Sequence, residues 1–223
     1  MARFTRIQVA TQLAESGILP LFYHPDLELC QQVVTACYEG GIRALEFTNR
    51  GDFAHEVFGE LNKYCAKELP EMMLGIGSVY DAGTTSLFLQ LGANFIVSPV
   101  MNPEMAKVCN RRKVMWSPGC GTLSEISQAE ELGAEIVKIF PAPAVGGPGF
   151  IKAVKGPQPW TSIMPTGGVA PTRENLTTWF DAGATCVGMG SKLITKDILA
   201  RMAFDELANK VRDALALAKE IRG

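Results

Sequence analysis

The chain has 223 residues, of which 47% are hydrophobic and 20% are charged, and its formal net charge is −2. This composition is typical of a folded globular protein, and the length suits one large domain or two small ones. Because the charge is nearly balanced and the basic residues are scattered, neither nucleic acid nor an anionic membrane is predicted as a partner.

Residues 1–17 carry Arg3, Arg6 and Glu15 and lack the apolar stretch and cleavage site of a signal peptide. We expect them to belong to the fold, with a helix over Thr5–Ser16. No run of about 18 uncharged apolar residues occurs in the chain, which argues against a membrane span. The 6 cysteines form no CxxC pair, which indicates free thiols in a reducing compartment. We therefore expect a cytoplasmic protein.

After this segment, short apolar runs alternate with longer amphipathic ones, the pattern of βα units around a parallel sheet. Eight runs are predicted to be strands: Ile18–Tyr23, Ala44–Phe47, Met72–Ile76, Phe95–Ser98, Val114–Pro118, Ile136–Phe140, Ser162–Thr166 and Cys186–Gly188. Helix-like periodicity predicts helices over Leu27–Tyr38, Ala54–Lys67, Thr84–Leu91, Pro103–Arg112, Ser124–Leu132, Arg173–Ala182 and Phe204–Ile221.

Four predicted strands follow a glycine that would end the preceding helix in the left-handed conformation: Gly41, Gly92, Gly133 and Gly183. Eight βα units in a chain of this length favour an α/β fold, a single (β/α)8 TIM barrel with an extra N-terminal helix, over an open sheet. No linker divides the chain, so one domain is predicted over residues 1–223, with residues 1–17 as the capping helix. The Gly146–Gly149 segment is interpreted as a flexible connection.

Lys138 lies where a lysine is energetically costly, inside the apolar run from Ile136 to Pro141. Since side chains alternate along a strand, Val137 and Ile139 would face the helices and Lys138 the barrel interior. Loss of water lowers the pKa of an amine, and a neutral amine is a nucleophile. The alternatives are a lysine that extends to solvent or one that is paired with a carboxylate.

Glu46 is predicted to face the same interior, because Leu45 and Phe47 are the large apolar pair that would pack under helices. A carboxylate and an amine in one dry enclosure would perturb each other's pKa. A structural ion pair is the alternative. Buried pairs add little net stability, however, and barrel active sites lie at the carboxyl ends of the strands, so this position favours a functional role.

The other predicted strand ends are rich in polar residues and glycines. The backbone N–H groups of Gly167, Gly168, Gly190 and Ser191 would suit an anion such as phosphate, although Gly-Gly turns also occur without any ligand. His24 and His55 are the two histidines and show no metal-binding spacing, so no metal site is predicted. Cys120 has no nearby histidine in the sequence to activate it and is expected to be an inert thiol.

Six segments, in order along the chain, carry a resemblance: Gly41–Arg50, Gly75–Val79, Phe95–Pro99, Val137–Ala142, Pro165–Val169 and Val187–Ser191. In them the chain resembles the class I (Schiff-base) aldolase family that cleaves 2-keto-3-deoxy-6-phosphogluconate and 4-hydroxy-2-oxoglutarate. The resemblance covers most of the chain, from Ile18 to about Gly223.

The resemblance implies a carbon–carbon lyase that acts on a small 2-keto acid and releases pyruvate without a metal or organic cofactor. Lys138 would form the Schiff base and Glu46 would transfer protons. Arg50 and Ser78 would hold the pyruvyl carboxylate. The pocket walls and the phosphate site would be formed by Pro99, Phe140, Thr166, Gly167, Gly168, Gly190 and Ser191. The family is typically homotrimeric.

The chain departs from the family pattern at three places. Tyr23 stands where an arginine is common, Ser78 where a threonine is common, and the loop Pro118–Thr122 differs. The keto-acid end of the site therefore matches, while the aldehyde end loses a cation. Two other functions stay open from the residues alone: a sugar-phosphate epimerase in which Lys138 acts electrostatically, and a catalytically silent barrel that senses a sugar acid.

Overall fold

The computed structural model describes residues 1–223. Its strands are β1 (Ile18–Phe22), β2 (Ala44–Thr48), β3 (Met73–Gly77), β4 (Phe95–Val97), β5 (Met115–Ser117), β6 (Gly119–Cys120), β7 (Val137–Ile139), β8 (Ile163–Pro165) and β9 (Val187–Met189). Its helices are α1 (Arg6–Ser16), α2 (Leu27–Glu39), α3 (Ala54–Glu68), α4 (Ala82–Gln90), α5 (Pro103–Arg112), α6 (Leu123–Glu131), α7 (Gly147–Lys155), α8 (Arg173–Asp181), α9 (Lys196–Arg201) and α10 (Phe204–Arg222).

All paired strands are parallel and lie in two groups. A six-stranded sheet has the order β5-β4-β3-β2-β1-β9, and a three-stranded sheet has the order β6-β7-β8. An isolated bridge between Thr166 and Gly188 connects the end of β8 to β9. The larger sheet is curled, and the carboxyl ends of its strands share one edge, which is where a parallel α/β fold places its binding residues.

The predicted fifth strand, Val114–Pro118, is followed by a further short strand, so nine strands form where eight were predicted. β5 ends at Ser117 and β6 begins at Gly119. Pro118 lies between them and has no N–H group to donate to a neighbouring strand, which interrupts the ladder. As a result, the strand that carries Lys138 is the seventh in the chain, and it pairs with β6 rather than β5.

Local signals in the sequence explain most helix boundaries. The four predicted junction glycines have φ values of 86° to 106°, which confirms their left-handed conformation. At most helix starts, a short polar side chain accepts a hydrogen bond from a backbone N–H of the first turn, and each such cap contributes about 1 kcal/mol. These caps are Thr5, Asp26, Asp81, Asn102, Thr122, Thr172 and Thr195.

Two helices are missing from the sequence prediction. α7 begins within the Gly146–Gly149 segment, so the flexible connection expected there is wrong. Gly146, at φ 115°, redirects the chain, Pro148 occupies the first turn, where no N–H is required, and Ile151 is buried. α9 has only 6 residues, too few for a periodic pattern to be recognised.

Apolar side chains fill both faces of the sheets. Leu45, Phe47, Val137 and Ile139 belong to the core between the strands and the helices, as strand alternation predicts. The opposite face contains a separate interior cluster formed by Val9, Leu13, Leu19, Ala44, Met73, Phe95, Val97, Met115, Ile136, Met164 and Cys186. Because Val9 and Leu13 belong to α1, this helix packs against the interior cluster.

All six cysteines are buried and none is in a disulfide. Burial raises the pKa of the Cys37 and Cys120 thiols to about 12, so both are protonated at neutral pH. No helix of the chain combines the length and the apolar character needed to cross a membrane.

Candidate active site

Lys138 is enclosed by the sheet and unpaired. It lies in β7 between Gly119 of β6 and Met164 of β8, and only 4% of its surface is exposed. Its Nζ lies 4.9 Å from the centre of the Phe140 ring. No carboxylate oxygen lies within 4.0 Å of Nζ. The two non-catalytic alternatives, a lysine that extends to solvent and a lysine in a direct ion pair, are therefore wrong.

Glu46 is buried on the same interior face. It is 1% exposed, and its Oε2 has no hydrogen-bond partner in the protein. Gly77 of β3 makes room for the carboxyl group, since a Cβ at this position would overlap Glu46 Oε1. A buried polar atom without a partner costs about 1–3 kcal/mol, so the fold holds the Glu46 carboxyl group here at an energetic cost.

Burial shifts the pKa values of Lys138 and Glu46 more than the charge of either group shifts the pKa of the other. Burial lowers the pKa of Lys138; the charge of Glu46 opposes this shift and the charge of Arg50 adds to it. Burial also raises the pKa of Glu46, opposed by the charges of Lys138 and Arg50. The lowered pKa of Lys138 and the raised pKa of Glu46 both favour a neutral amine next to a protonated carboxyl group. Such a pair can attack a carbonyl carbon and supply the proton that the reaction then needs.

Arg50 and Ser78 come together on the loops that follow β2 and β3. Arg50 Nε donates a hydrogen bond of 3.5 Å to Ser78 Oγ. Arg50 is exposed, and Ser78 has φ 58°, a conformation that is costly for a residue with a side chain. Strained backbone of this kind is concentrated at binding sites, and a guanidinium group beside a hydroxyl can bind a carboxylate.

A cavity of about 450 Å³ opens at the carboxyl ends of β1, β8 and β9. It is lined by the predicted site residues Arg50, Phe140, Thr166, Gly167, Gly168, Gly190 and Ser191. Thr166 Oγ1 is buried without a hydrogen-bond partner. The backbone N–H groups of Gly168, Gly190 and Ser191 donate no hydrogen bond within the protein. The cavity therefore offers several unoccupied donors in one place.

The remaining predicted residues lie beside this cavity rather than on its wall. Lys138 is connected to it through Phe140, which contacts the amine and lines the cavity. Pro99 packs its backbone over Gly119, where a Cβ would overlap it, and Gly119 is the strand neighbour of Lys138. Glu46 and Ser78 are placed by β2 and by the end of β3.

The sequence analysis missed several residues of the cavity wall. These are Leu21, Phe22, Val169, Gly188, Lys192, Ile194, Lys196 and Leu199; Tyr23, noted above only as a departure, also lines it. Most are apolar and carry no signal that separates them from core residues. The exceptions are Lys192, which directly follows the Gly190-Ser191 turn, and Lys196, the first residue of α9. The charge of Lys192 next to a glycine turn was a usable signal.

Comparison with known proteins agrees with this geometry. The chain matches the family model of KDPG and KHG aldolases over residues 9–210. It is 30% identical to the KHG/KDPG aldolase of Escherichia coli (strain K12) over 209 residues, which cover 93% of this chain and 94% of that one. It is also 30% identical to the 2-dehydro-3-deoxy-phosphogluconate aldolase of Pseudoalteromonas atlantica over 223 residues, 99% of this chain and 100% of that one.

Among solved structures, a KDPG aldolase from Legionella pneumophila superposes with a TM-score of 0.82 at 25% identity, covering 91% of this chain and 96% of that one. That structure is described with pyruvate captured as a covalent carbinolamine intermediate. The family match and these relatives define an aldolase, a carbon–carbon lyase. The chain belongs to the KDPG and KHG aldolase family and cleaves a 2-keto-3-deoxy sugar acid, which confirms the resemblance seen in the sequence. The epimerase and sensor alternatives are not favoured.

Proposed function

We propose that the chain cleaves 2-keto-3-deoxy-6-phosphogluconate or 4-hydroxy-2-oxoglutarate to pyruvate and an aldehyde through a Schiff base on Lys138. The observation that carries this proposal is a buried, unpaired amine that shares an enclosure with a buried carboxyl group. The mechanism uses no metal or organic cofactor, since the protonated imine itself accepts the electrons of the broken bond.

The neutral amine of Lys138 attacks C2 of the keto acid and forms a carbinolamine. Glu46 supplies a proton to the departing hydroxyl, and loss of water gives the protonated imine. The Glu46 carboxylate then takes the proton of the C4 hydroxyl, the C3–C4 bond breaks, and its electrons move into the imine to form an enamine. The aldehyde leaves, C3 is protonated, and water releases pyruvate and restores the amine.

Substrate contacts follow from the positions of the neighbouring groups. Arg50 and Ser78 bind the carboxylate of the pyruvyl half, because a guanidinium group matches two carboxylate oxygens. Phe140 and Pro99 shield the imine from water. The free N–H groups at Gly168, Gly190 and Ser191, together with Gly167 and the buried Thr166 hydroxyl, bind the far end of the substrate. The glycines after β8 and β9 suit a phosphate particularly well.

We also propose that residues 1–223 form one closed (β/α)8 barrel domain, with residues 1–17 as its capping helix. In support, β9 pairs with β1, the Thr166–Gly188 bridge connects β8 with β9, and Pro118 alone separates β5 from β6. A closed barrel of parallel strands would explain why α1 covers a separate interior cluster.

We further propose a cytoplasmic homotrimer. Four exposed apolar side chains follow neighbouring strands at the carboxyl edge and define what we call the apolar rim: Phe53, Tyr80, Val100 and Leu123. Asn102 Nδ2 donates a 2.9 Å hydrogen bond to Tyr80 O, which joins two of the contributing loops. Apolar side chains grouped on a surface favour association between proteins. The six free thiols suit a reducing compartment.

Borohydride trapping tests the Schiff base directly. Treatment with pyruvate and sodium borohydride should add one reduced pyruvyl group to Lys138, and peptide mapping should find it there alone. Lys155 is an internal control, because burial also lowers its pKa but its ammonium group donates to the carbonyls of Pro159 and Thr161. Lys138→Met should lose both the adduct and the cleavage of either substrate. A Lys138→Met variant with normal turnover would refute the proposal.

A further inference from the structure

We propose that the Ser117 hydroxyl relays a proton from the Lys138 nitrogen to the Glu46 carboxyl group while the Schiff base forms. This inference rests on the proposed function above and adds a third catalytic residue to it. Ser117 lies outside the six segments that carry the family resemblance. The chemistry needs such a group, because Glu46 must donate two protons before the imine exists.

Two independent features of β5 turn the Ser117 side chain toward the interior. Side chains alternate along a strand; Met115 belongs to the interior cluster, whereas Trp116 packs in the core between the strands and the helices. Ser117 is therefore on the same face as Met115. Its partner on β4 is Val97, which also belongs to the interior cluster, and paired residues of neighbouring strands share a face. Ser117 thus faces the same interior as the amine and the carboxyl group.

The Ser117 hydroxyl is buried and unpaired. The residue is 1% exposed, and its Oγ makes no hydrogen bond within the protein. Three buried side chains with an unpaired polar atom face the interior near the carboxyl ends of the strands: Glu46, Ser117 and Thr166. Buried hydroxyls normally have a hydrogen-bond partner. The hydroxyl of Ser117 is therefore free to bond to both of its polar neighbours.

Backbone pairing places Ser117 beside Lys138. The Lys138 N–H donates a 2.8 Å hydrogen bond to the carbonyl of Pro118, the residue after Ser117, and Lys138 pairs with Gly119. Neighbouring strands are about 4.8 Å apart, and both side chains face the interior. The long, flexible side chain of Lys138 can therefore bring its Nζ to the hydroxyl.

The Glu46 carboxyl group approaches Ser117 from the other side. It extends over Gly77, where a Cβ would overlap Glu46 Oε1. The register of β3, β4 and β5 puts Gly77, Val97 and Ser117 in one row across the three strands. Ser117 therefore lies between the carboxyl group above Gly77 and the amine on β7. Glu46 Oε2, the oxygen without a partner, is available to accept a proton.

The proton balance of Schiff-base formation requires a relay between these groups. When the Lys138 nitrogen attacks, the N–C2 bond forms, the C2=O electron pair moves to oxygen, and Glu46 protonates that oxygen. The nitrogen then carries an extra proton and a positive charge, while Glu46 is a carboxylate. A hydroxyl accepts and donates at the same time. Ser117 Oγ takes the proton from nitrogen as its own proton passes to Glu46 Oε2. Glu46 can now protonate the departing hydroxyl, so that water leaves and the protonated imine remains.

Rapid-quench borohydride trapping at saturating pyruvate measures the step in which Ser117 acts. The trapping rate of Ser117→Ala should fall about 100-fold, the lower end of what positioned proton transfer contributes. Ser117→Thr keeps the hydroxyl and should restore most of the rate. The matched control is Thr161→Val, which removes another buried, unpaired hydroxyl just before β8, at the opposite end of the strands. It should trap pyruvate at the wild-type rate.

Thermal unfolding separates the relay from a structural role. Because the Ser117 hydroxyl has no partner in the fold, Ser117→Ala should unfold at a temperature no lower than that of wild type. A Ser117→Ala variant that traps pyruvate at the wild-type rate would overturn the relay, and so would a folded Ser117→Thr variant as slow as Ser117→Ala. A wild-type chain that forms no adduct at all would instead refute the proposed function, and the relay with it.

Discussion

Gly77 and Glu46 illustrate how the absence of one side chain makes room for a group that we propose to be catalytic. A Cβ on Gly77 would overlap the Glu46 carboxyl group, whereas a Cβ on Gly75, two residues earlier on β3, would overlap the ring of Phe95 in the interior cluster. The two glycines therefore make room for different side chains. Gly77 leaves space for the Glu46 carboxyl group, and Gly75 leaves space for the Phe95 ring in the core.

We predict that Gly77→Ala lowers kcat by about 100-fold, since a displacement of about 1 Å in a catalytic group has that effect. Its unfolding temperature should stay close to that of wild type. The matched variant Gly75→Ala should instead lose about 1–3 kcal/mol of stability through overpacking, with kcat of the folded enzyme nearly unchanged. Steady-state kinetics and thermal unfolding of both variants give the result. Equal kcat values for the two variants would contradict the role of Gly77.

The pH dependence of the reaction should reflect Arg50. Its charge lowers the pKa of Lys138, and the amine must be neutral to attack. Arg50→Gln removes this cation, so the pKa of Lys138 rises, and the rate of borohydride trapping at saturating pyruvate should increase over a higher pH range than in wild type. Arg111→Gln, an exposed change on α5, is the control. A profile that does not move, or moves to lower pH, would exclude Arg50 as a cause.

For individual residues, the sequence predicted the orientation of the Glu46 and Lys138 side chains correctly, because strand alternation is a firm geometric rule. It could not place Lys192 on the cavity wall, since the direction of a loop is decided by distant contacts such as the bond from Lys210. The absence of a direct ion pair at Lys138 depends on angstrom-scale distances that no pattern of residues contains.

Among the elements, α1 contributes to stability without taking part in the chemistry. Leu13 is 1% exposed and packs in the interior cluster, while Ile7 on the same helix is 73% exposed. Leu13→Ala should reduce the free energy of unfolding by about 2–4 kcal/mol, through lost burial and the cavity that remains. Ile7→Ala should change it by less than about 0.5 kcal/mol. Urea unfolding measures both, and equal values would mean that α1 is not packed as described.

Helices and strands whose ends are marked by capping side chains or junction glycines were predicted well. Elements whose boundary depends on a single residue were not. Capping side chains and junction glycines fix most helix boundaries to within a few residues. Pro118 breaks a strand that otherwise reads as continuous, and α7 starts in a glycine-rich segment whose composition indicates a loop. The break at Pro118 is a local effect of the missing N–H group, whereas at α7 tertiary packing overrides the local preference.

For the whole molecule, the apolar rim determines the expected assembly. A trimer should have three times the chain mass of 24.1 kDa in light scattering after size exclusion. Tyr80→Ser/Val100→Ser should shift the distribution toward smaller species, because it removes apolar surface from the rim. Ile7→Ser, also exposed but outside the rim, should leave the mass unchanged. A single-chain mass for the wild-type protein would rule out the trimer.

The burial of every thiol has a practical consequence for physical studies of this enzyme. Maleimides react with thiolates at the surface, and the native chain presents none. Trp160→Cys, at a side chain that is 69% exposed, would therefore create a unique attachment point for a fluorophore or spin label. Distances between labelled copies, and their changes on adding substrate, become measurable without first replacing the natural cysteines.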